Sequence, residues 1–209
     1  MSIKLYYAPG ACSFAPHITL EEVGVPYETQ RLNLAAGDQR KPEYLKLNAR
    51  GRVPTLVVDK EVLTEVVGIL SYFGGGYPQA GLWPKRTWDQ AKIVSSMAWL
   101  SNTVHTTYGQ FFRPERYVDD SAAQAALKAK ARIRYGNYLA EIDRLLAGRR
   151  WCIADHYTVI DAYLLVFYRW GNRNQFPVKS LSHYTALMER VLARPAVKKV
   201  MADEGITLD

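Results

Sequence analysis

The feature that most constrains the fold is a change of pattern at residues 74–84. Before this segment, short β-branched and aromatic runs alternate with helical patterns. The segment itself, GGGYPQAGLWP, is rich in Gly and Pro and predicts a linker. After it the strand patterns stop and only helical patterns remain. We therefore predict an α/β domain at 1–78 and an all-α domain at 85–209, joined by a linker at 79–84.

The predicted order of elements in the first domain is β-α-β-α-β-β-α. IKLYYA predicts the first strand, and TLVVDKEVLTE predicts a hairpin with Asp59 and Lys60 near its turn. Gly24 follows the first helical segment, as a C-cap glycine does. An order of this kind gives a mixed sheet with helices packed against its faces.

The predicted helices of the second domain surround one apolar helix. The five helical segments lie at 85–112, 120–147, 158–172, 181–193 and 195–203. Thr158 and Asp161 have the spacing of a capping box, in which the acidic side chain accepts from the cap amide. We interpret Asp161 as this cap rather than as a catalytic acid. The continuous apolar stretch at 162–168 predicts the central helix of the bundle.

Composition favours a soluble globular protein, with 48% hydrophobic and 22% charged residues. No apolar run reaches the roughly 18 residues of a spanning helix, and the first residues do not resemble a secretory signal, so we expect no membrane partner and a cytoplasmic protein.

Cys12 and Cys152 are the only cysteines, too few for a disulfide framework, and packing is the better interpretation for Cys152. The four histidines are scattered, so no metal site is predicted.

The formal net charge of +7 is compatible with nucleic acid or with an anionic small molecule. The densest basic patch, KAKARIRYGNY at 128–138, lies within a helical pattern. We interpret it as a solvated helix face, and we predict no nucleic-acid partner.

Four motifs, in order, resemble those of the glutathione S-transferase family, and in particular its bacterial beta class. YYAPGACSFAPH at 6–17 is similar to the beta-class N-terminus, which carries a cysteine at this point. RVPTL at 52–56 is similar to the Val-Pro step of thioredoxin-type domains, where the proline is cis. LTE at 63–65 opens a helix like the family's glutamate motif, and TVIDAYLL at 158–165 matches its capping box. The resemblance spans nearly the whole chain and implies a thioredoxin-like N-terminal domain with an all-α helical bundle as C-terminal domain.

The resemblance implies a homodimeric detoxification enzyme that uses glutathione as co-substrate and no metal. Its glutathione site would include Val53, whose backbone precedes Pro54 and can pair with the cysteinyl backbone like a neighbouring strand. Glu65 would lie where helix amides hold the γ-glutamyl carboxylate, and Arg52 would add charge for a carboxylate. Val66 departs from the family, which usually has Ser, Asn or Gly there. It removes a side-chain hydroxyl but keeps the backbone N–H.

Cys12 is the main catalytic candidate. It precedes the first predicted helix, where amides and the helix dipole lower the pKa of a thiol. No second thiol follows closely, which excludes a dithiol cycle. Two roles stay open, a mixed disulfide with glutathione or a hydrogen bond to the glutathione thiol during conjugation. Ser13 and Tyr7 are alternative donors, and His105 falls where the beta class has a histidine near the thiol.

The second substrate, an electrophile, is expected between the domains, over the turn that contains Gly10 and Ala11. Aromatic side chains of the first bundle helix are the candidate walls, and they suit a flat hydrophobic substrate. These candidates are Trp99, Tyr108, Phe111 and Phe112, with His105 beside them. Trp170 has two possible positions, the cleft or the interior of the bundle. The alternative function is a non-catalytic binder of ligands or proteins, which Val66 and the absence of a lysine at Thr106 favour.

Overall fold

One mixed four-stranded sheet organises the first part of the chain in the computed structural model, which describes residues 1–209. The strands are β1 (Ile3–Tyr7), β2 (Glu28–Arg31), β3 (Thr55–Val58) and β4 (Glu61–Thr64). Their spatial order is β2-β1-β3-β4. β1 pairs in parallel with β2, whereas the β1–β3 and β3–β4 pairs are antiparallel. The mixed sheet expected from the sequence is confirmed.

Three helices accompany the sheet and six follow it. The first three are α1 (Phe14–Val23), α2 (Pro42–Leu45) and α3 (Val66–Gly76). The others are α4 (Thr87–Trp99), α5 (Thr106–Phe112), α6 (Ser121–Leu145), α7 (Val159–Arg173), α8 (Ser182–Leu192) and α9 (Pro195–Glu204). We call residues 3–76 the sheet half and residues 87–204 the helical half.

The predicted single helix at 85–112 contains a π-helical segment. This segment, Leu100–His105, joins α4 to α5 without a break. π-Helical turns inside α-helices are rare and often lie at functional sites, and apolar periodicity does not reveal them.

Local signals account for the ends of several elements. Gly24 adopts a left-handed conformation with φ of 73° and caps α1, as predicted. Asp59, with φ of 52°, lies at the tight turn between β3 and β4. Along β1 the buried residues alternate, so that Ile3, Leu5 and Tyr7 face the core.

α7 is the central helix of the helical half, as its apolar sequence predicted. Every residue from Val159 to Gly171 is buried. The capping box is present, and the Thr158 N–H donates to Asp161 Oδ2 at 2.8 Å. The Cys152 N–H donates to the other carboxyl oxygen of Asp161 at 2.9 Å. Asp161 is therefore a structural cap, as interpreted from the sequence.

The two halves share a continuous hydrophobic core. α1 packs against α3 of its own half and against α7 and α9 of the other. Phe14 and Ile18 of α1 and Phe167 of α7 belong to one buried cluster. The loop between β1 and α1 consequently lies where the halves meet. No helix of the chain has the length and apolar character needed to span a bilayer.

Candidate active site

A cleft of about 750 Å³ lies between the two halves. The sheet half contributes the loop after β1, the loop before β3 and the start of α3. The helical half contributes side chains from the π-helical segment, α5 and the end of α7. The sequence-predicted residues that line this cleft are Gly10, Ala11, Cys12, Arg52, Val53, Pro54, Glu65, Val66, His105, Tyr108 and Phe112.

The loop after β1 is fixed by the helical half through Gly10. The Gly10 N–H donates to Glu204 Oε2 at 2.7 Å, and Trp170 Nε1 donates to the Gly10 carbonyl at 2.9 Å. Glycine is required here because φ is 65° and because a Cβ would collide with the Arg169 guanidinium. Both backbone polar groups of Gly10 are thereby held two residues before Cys12.

The Cys12 thiol is 9% exposed and lies at the floor of the cleft. Its Sγ–H donates to the Val53 carbonyl, with a sulfur–oxygen distance of 3.4 Å. Burial raises the pKa of Cys12 to about 12, although hydrogen bonds from the Cys12 and Ser13 amides oppose this shift. The expectation of a lowered thiol pKa was wrong, because loss of hydration outweighs the amides of the first helical turn. Cys12 is a neutral thiol near pH 7.

Ser13 and Tyr7 do not reach the cleft. The Ser13 side chain is fully buried, and its Oγ accepts from the Ala8 N–H at 3.1 Å and bonds to the Ala8 carbonyl at 3.2 Å. Tyr7 packs against His17 on the opposite side of the loop, with ring centroids 5.1 Å apart. The structure corrects their placement as thiol donors, because one hydroxyl closes the turn and the alternation of β1 directs the other away.

The peptide bond between Val53 and Pro54 is cis, as the resemblance implied. Tyr44 Oη and Asn48 Nδ2 both donate to the Arg52 carbonyl and hold this loop in place. The Val53 N–H makes no hydrogen bond within the chain. The loop therefore offers a rigid backbone donor to an extended peptide lying in the cleft.

Glu65 stands at the N-cap of α3 with φ of 71°, an uncommon conformation for a residue other than glycine. Strained backbone of this kind concentrates at functional sites. No side chain caps the helix, so its first amides remain available to an anion. The Val66 side chain is 5% exposed and packs into the core. The start of α3 thus combines an exposed carboxylate with free helix amides.

His105 lines the cleft from the last position of the π-helical segment. Its ring lies 5.0 Å from the Trp170 ring, between centroids. Burial, assisted by the charge of Arg52, lowers the pKa of His105 to about 4. The imidazole is therefore neutral in the physiological range, and it adds polarity but no charge to the cleft.

A stack of aromatic rings forms the wall opposite the sheet. Tyr108 is nearly parallel to Trp170, at 4.3 Å and 15°, and to Phe112, at 5.5 Å and 11°. Phe112 is 53% exposed. Trp170, for which the sequence left two positions open, lies in the cleft. The rings provide a flat apolar surface beside the polar loop.

Two predicted wall residues lie elsewhere. Phe111 packs against Phe176, with centroids 5.5 Å apart, and Trp99 packs against Tyr138 at 6.0 Å. Neither lines the cleft. A helix rotates about 100° per residue, so Phe111 and Phe112 cannot both face one side. Aromatic composition alone did not distinguish the cleft from the bundle interior.

A set of polar residues around the cleft was not predicted from the sequence. They are Arg31, Arg113, Arg116, Tyr117, Arg173 and Asn174. A signal was available, because FFRPER places Arg113 directly after two aromatic residues at a helix end and RWGNRN places Arg173 three residues after Trp170. Glu204, which holds the Gly10 loop, had no such signal.

The fold and the cleft define the class of the protein. A thioredoxin-like unit with a cis-proline beside an open cleft, followed by a helical half, is the architecture of glutathione-dependent transferases. Residues 1–74 match the family described as glutathione S-transferase, N-terminal domain. No group of three or more His, Cys, Asp or Glu side chains is arranged to hold a metal ion.

Individual relatives agree over the full chain. A glutathione S-transferase of Xanthomonas campestris is 34% identical over 205 residues, which cover 98% of this chain and all of the relative. A glutathione transferase homologue from Sulfitobacter, solved with bound glutathione, has a TM-score of 0.92 at 28% identity and covers 99% of both chains. A beta-class enzyme from Sphingomonas chungbukensis has a TM-score of 0.86 at 30% identity, covering 98% of this chain and all of that one.

The chain therefore belongs to the glutathione S-transferase family and is similar to its bacterial beta class. It is a transferase with glutathione as co-substrate.

Proposed function

We propose that the enzyme conjugates glutathione to a hydrophobic electrophile in the cleft, with Cys12 as a neutral hydrogen-bond donor. The observation that carries this proposal is the Cys12 thiol itself. It is buried, it keeps its proton, and it already donates to the Val53 carbonyl at 3.4 Å. When a substrate thiolate binds beside it, the single S–H proton can turn from the Val53 carbonyl to that thiolate, and Cys12 need not be deprotonated.

In this proposal glutathione binds to the sheet half. The free Val53 N–H would pair with the backbone of its cysteinyl residue. The first amides of α3 would receive the γ-glutamyl carboxylate, and Glu65 would take its ammonium group. Arg52, exposed at the same edge of the cleft, would receive another carboxylate.

Conjugation requires a stabilised glutathione thiolate next to an apolar surface that holds the electrophile. Cys12 is adjacent to the Val53 carbonyl, so a peptide paired with Val53 would bring its own sulfur near the Cys12 thiol. A hydrogen bond to the charged form of a thiol lowers its pKa. The stack of Trp170, Tyr108 and Phe112 would hold the electrophile opposite.

Thiol–disulfide exchange through Cys12 is less well supported. Exchange requires the thiolate of the attacking cysteine, and burial disfavours that form. Cys152 cannot resolve a mixed disulfide locally, because it lies in the loop capped by Asp161 rather than in the cleft. Conjugation requires neither a Cys12 thiolate nor a resolving cysteine.

Activity with two substrates tests the proposal. Conjugation is measured with a chlorodinitrobenzene and exchange with hydroxyethyl disulfide, for the wild type, Cys12→Ser and Cys12→Ala. We expect conjugation to persist in Cys12→Ser and to fall by about tenfold in Cys12→Ala, the loss of one hydrogen bond to a charged group. Exchange that exceeds conjugation and vanishes in both variants would instead make Cys12 a nucleophile. Absence of both activities, with glutathione still bound, would favour the non-catalytic binder.

We also propose a homodimer that works in the cytoplasm, in detoxification. Exposed apolar side chains on the edge strand β4 and on α4 support a dimer interface; they are Val62, Trp88 and Val94, at 42%, 61% and 43% exposed. Two free cysteines suit a reducing compartment. A domain division at 79–84 is proposed because the last element of the sheet half ends at Gly76 and α4 begins at Thr87. Light scattering after size-exclusion chromatography tests the dimer, and a mass of one chain would refute it.

A further inference from the structure

The charges around the cleft are strongly unbalanced. Its lining contains five arginines, which are Arg31, Arg52, Arg113, Arg116 and Arg173. It contains one acidic side chain, that of Glu65. Because His105 is neutral, the lining carries a formal excess of four positive charges.

Bound glutathione does not balance this excess. Its two carboxylates, one ammonium and one thiolate give two net negative charges, and its ammonium group is itself assigned to Glu65. The lining of the loaded cleft therefore keeps a formal excess of two positive charges. Clefts lined by one sign of charge concentrate ligands of the opposite sign.

Three of the arginines lie on the helical half, on the side of the aromatic wall. Arg113 directly follows α5, Arg116 ends the 3-10 turn after it (Pro114–Arg116), and Arg173 is the last residue of α7. Arg116 and Arg173 form no salt bridge, whereas Arg113 reaches Glu115 at 3.7 Å in an exposed pair. We call Arg113, Arg116 and Arg173 the arginine cluster.

The cluster is close to the aromatic rings and to the remaining arginines of the cleft. The Arg113 guanidinium lies 5.4 Å from the centroid of Phe112. Partial burial, followed by the positive charges of Arg113 and Arg52, lowers the pKa of Arg116. A basic residue at a helix C-terminus offsets the helix dipole, but that effect explains neither Arg116, which lies beyond α5, nor the convergence on one cleft.

We propose that the second substrate is an anionic aromatic electrophile, whose ring lies on the aromatic wall and whose anionic group binds the arginine cluster. The inference rests on the proposed conjugation and adds the charge of the substrate to it. Guanidinium groups form paired hydrogen bonds with carboxylates and sulfonates, which gives orientation as well as affinity.

The experiment compares two electrophiles with one reactive carbon, 4-chloro-3,5-dinitrobenzoate and its neutral benzamide. In both, the glutathione sulfur forms a bond to the ring carbon, chloride leaves with the electron pair of the carbon–chlorine bond, and the thiol proton passes to solvent. Each kcat/KM is divided by the uncatalysed rate constant with glutathione, which removes the difference in intrinsic reactivity. We expect the wild type to favour the benzoate by about tenfold at low salt.

Single arginine variants test whether the arginine cluster causes the preference for the benzoate over the benzamide. Arg116→Gln and Arg173→Gln should each lower normalised kcat/KM for the benzoate by about three- to tenfold and leave the benzamide nearly unchanged. Arg144→Gln, an exposed arginine of α6 away from the cleft, is the matched control and should change neither.

Three results overturn the inference, and they are distinguishable from one another. Equal normalised rates for both electrophiles would refute anion selectivity while leaving conjugation intact. The same conclusion would follow if the variants raised the KM for glutathione without altering the preference for the benzoate over the benzamide. Inactivity toward both electrophiles would refute the proposed conjugation and the inference with it.

Discussion

The carboxyl group of Glu204 accepts the Gly10 N–H at 2.7 Å, although 194 residues separate the two. The other oxygen of Glu204 bonds to His17 Nδ1 at 2.9 Å, and the residue is only 2% exposed. The last helix of the chain thereby positions the loop that carries Cys12. The geometry of the thiol depends on the docking of α9.

Removal of the Glu204 carboxyl group should destabilise the protein and impair the site. Glu204→Ala leaves the Gly10 N–H and His17 without their buried partner, and each orphaned group costs about 1–3 kcal/mol. We expect a loss of at least about 2 kcal/mol in the free energy of unfolding, measured by urea denaturation, together with a lower kcat/KM.

The neighbouring residue gives the control for Glu204. Asp203→Ala removes an exposed carboxylate that pairs with Lys199 at 3.0 Å. Surface pairs of this kind contribute less than about 1 kcal/mol. Equal losses in the two variants would contradict a specific role for the buried contact.

The Cys12 thiol should react slowly with alkylating agents. Burial raises its pKa to about 12, so little thiolate exists near pH 8. In a Cys152→Ser background we expect iodoacetamide to modify folded protein at least about 100-fold more slowly than free cysteine. Mass spectrometry follows the modification, and protein in guanidinium chloride serves as the fully reactive control. A rate that levels off below pH 9 would show a low-pKa thiolate instead.

Acid should destabilise the folded state through His105. Its folded pKa of about 4 lies below the value of about 6.5 in an unfolded chain. Between these values the unfolded state binds more protons, so stability falls as the pH is lowered through this window. Denaturation at pH 7 and pH 4.5 should show that His105→Gln reduces the acid-dependent loss by about 1–2 kcal/mol. An unchanged loss would mean that the imidazole is charged or freely solvated in the fold.

A hydroxyl at position 66 should strengthen glutathione binding at the expense of stability. Val66 is the first residue of α3 and is almost completely buried. Val66→Ser loses apolar burial, which we expect to cost about 1–2 kcal/mol, but adds a donor for a carboxylate at the helix start. Titration calorimetry should show a three- to fivefold lower Kd for glutathione. Val67→Ser, one position along α3, should lose stability without any gain in affinity.

The local elements were predictable because their causes are local. The hairpin turn at Asp59, the glycine cap at Gly24 and the capping box of Thr158 and Asp161 are encoded within a few neighbouring residues. The resemblance added the cis peptide before Pro54 and the cleft positions of Cys12 and Glu65. Orientation within helices was less predictable, and Trp99 and Phe111 were assigned to the wrong side.

The sequence by itself determined which segments become helices and strands and which family the motifs resemble. Only the tertiary structure decided the protonation state of Cys12. A thiol beside a helix start keeps or loses its proton according to how deeply its neighbours bury it. The tertiary structure also decided that Ser13 closes a turn, that Glu204 holds Gly10 and that scattered arginines converge on one cleft. Burial and contacts between residues far apart in sequence arise only when the two halves pack, so no local pattern reports them.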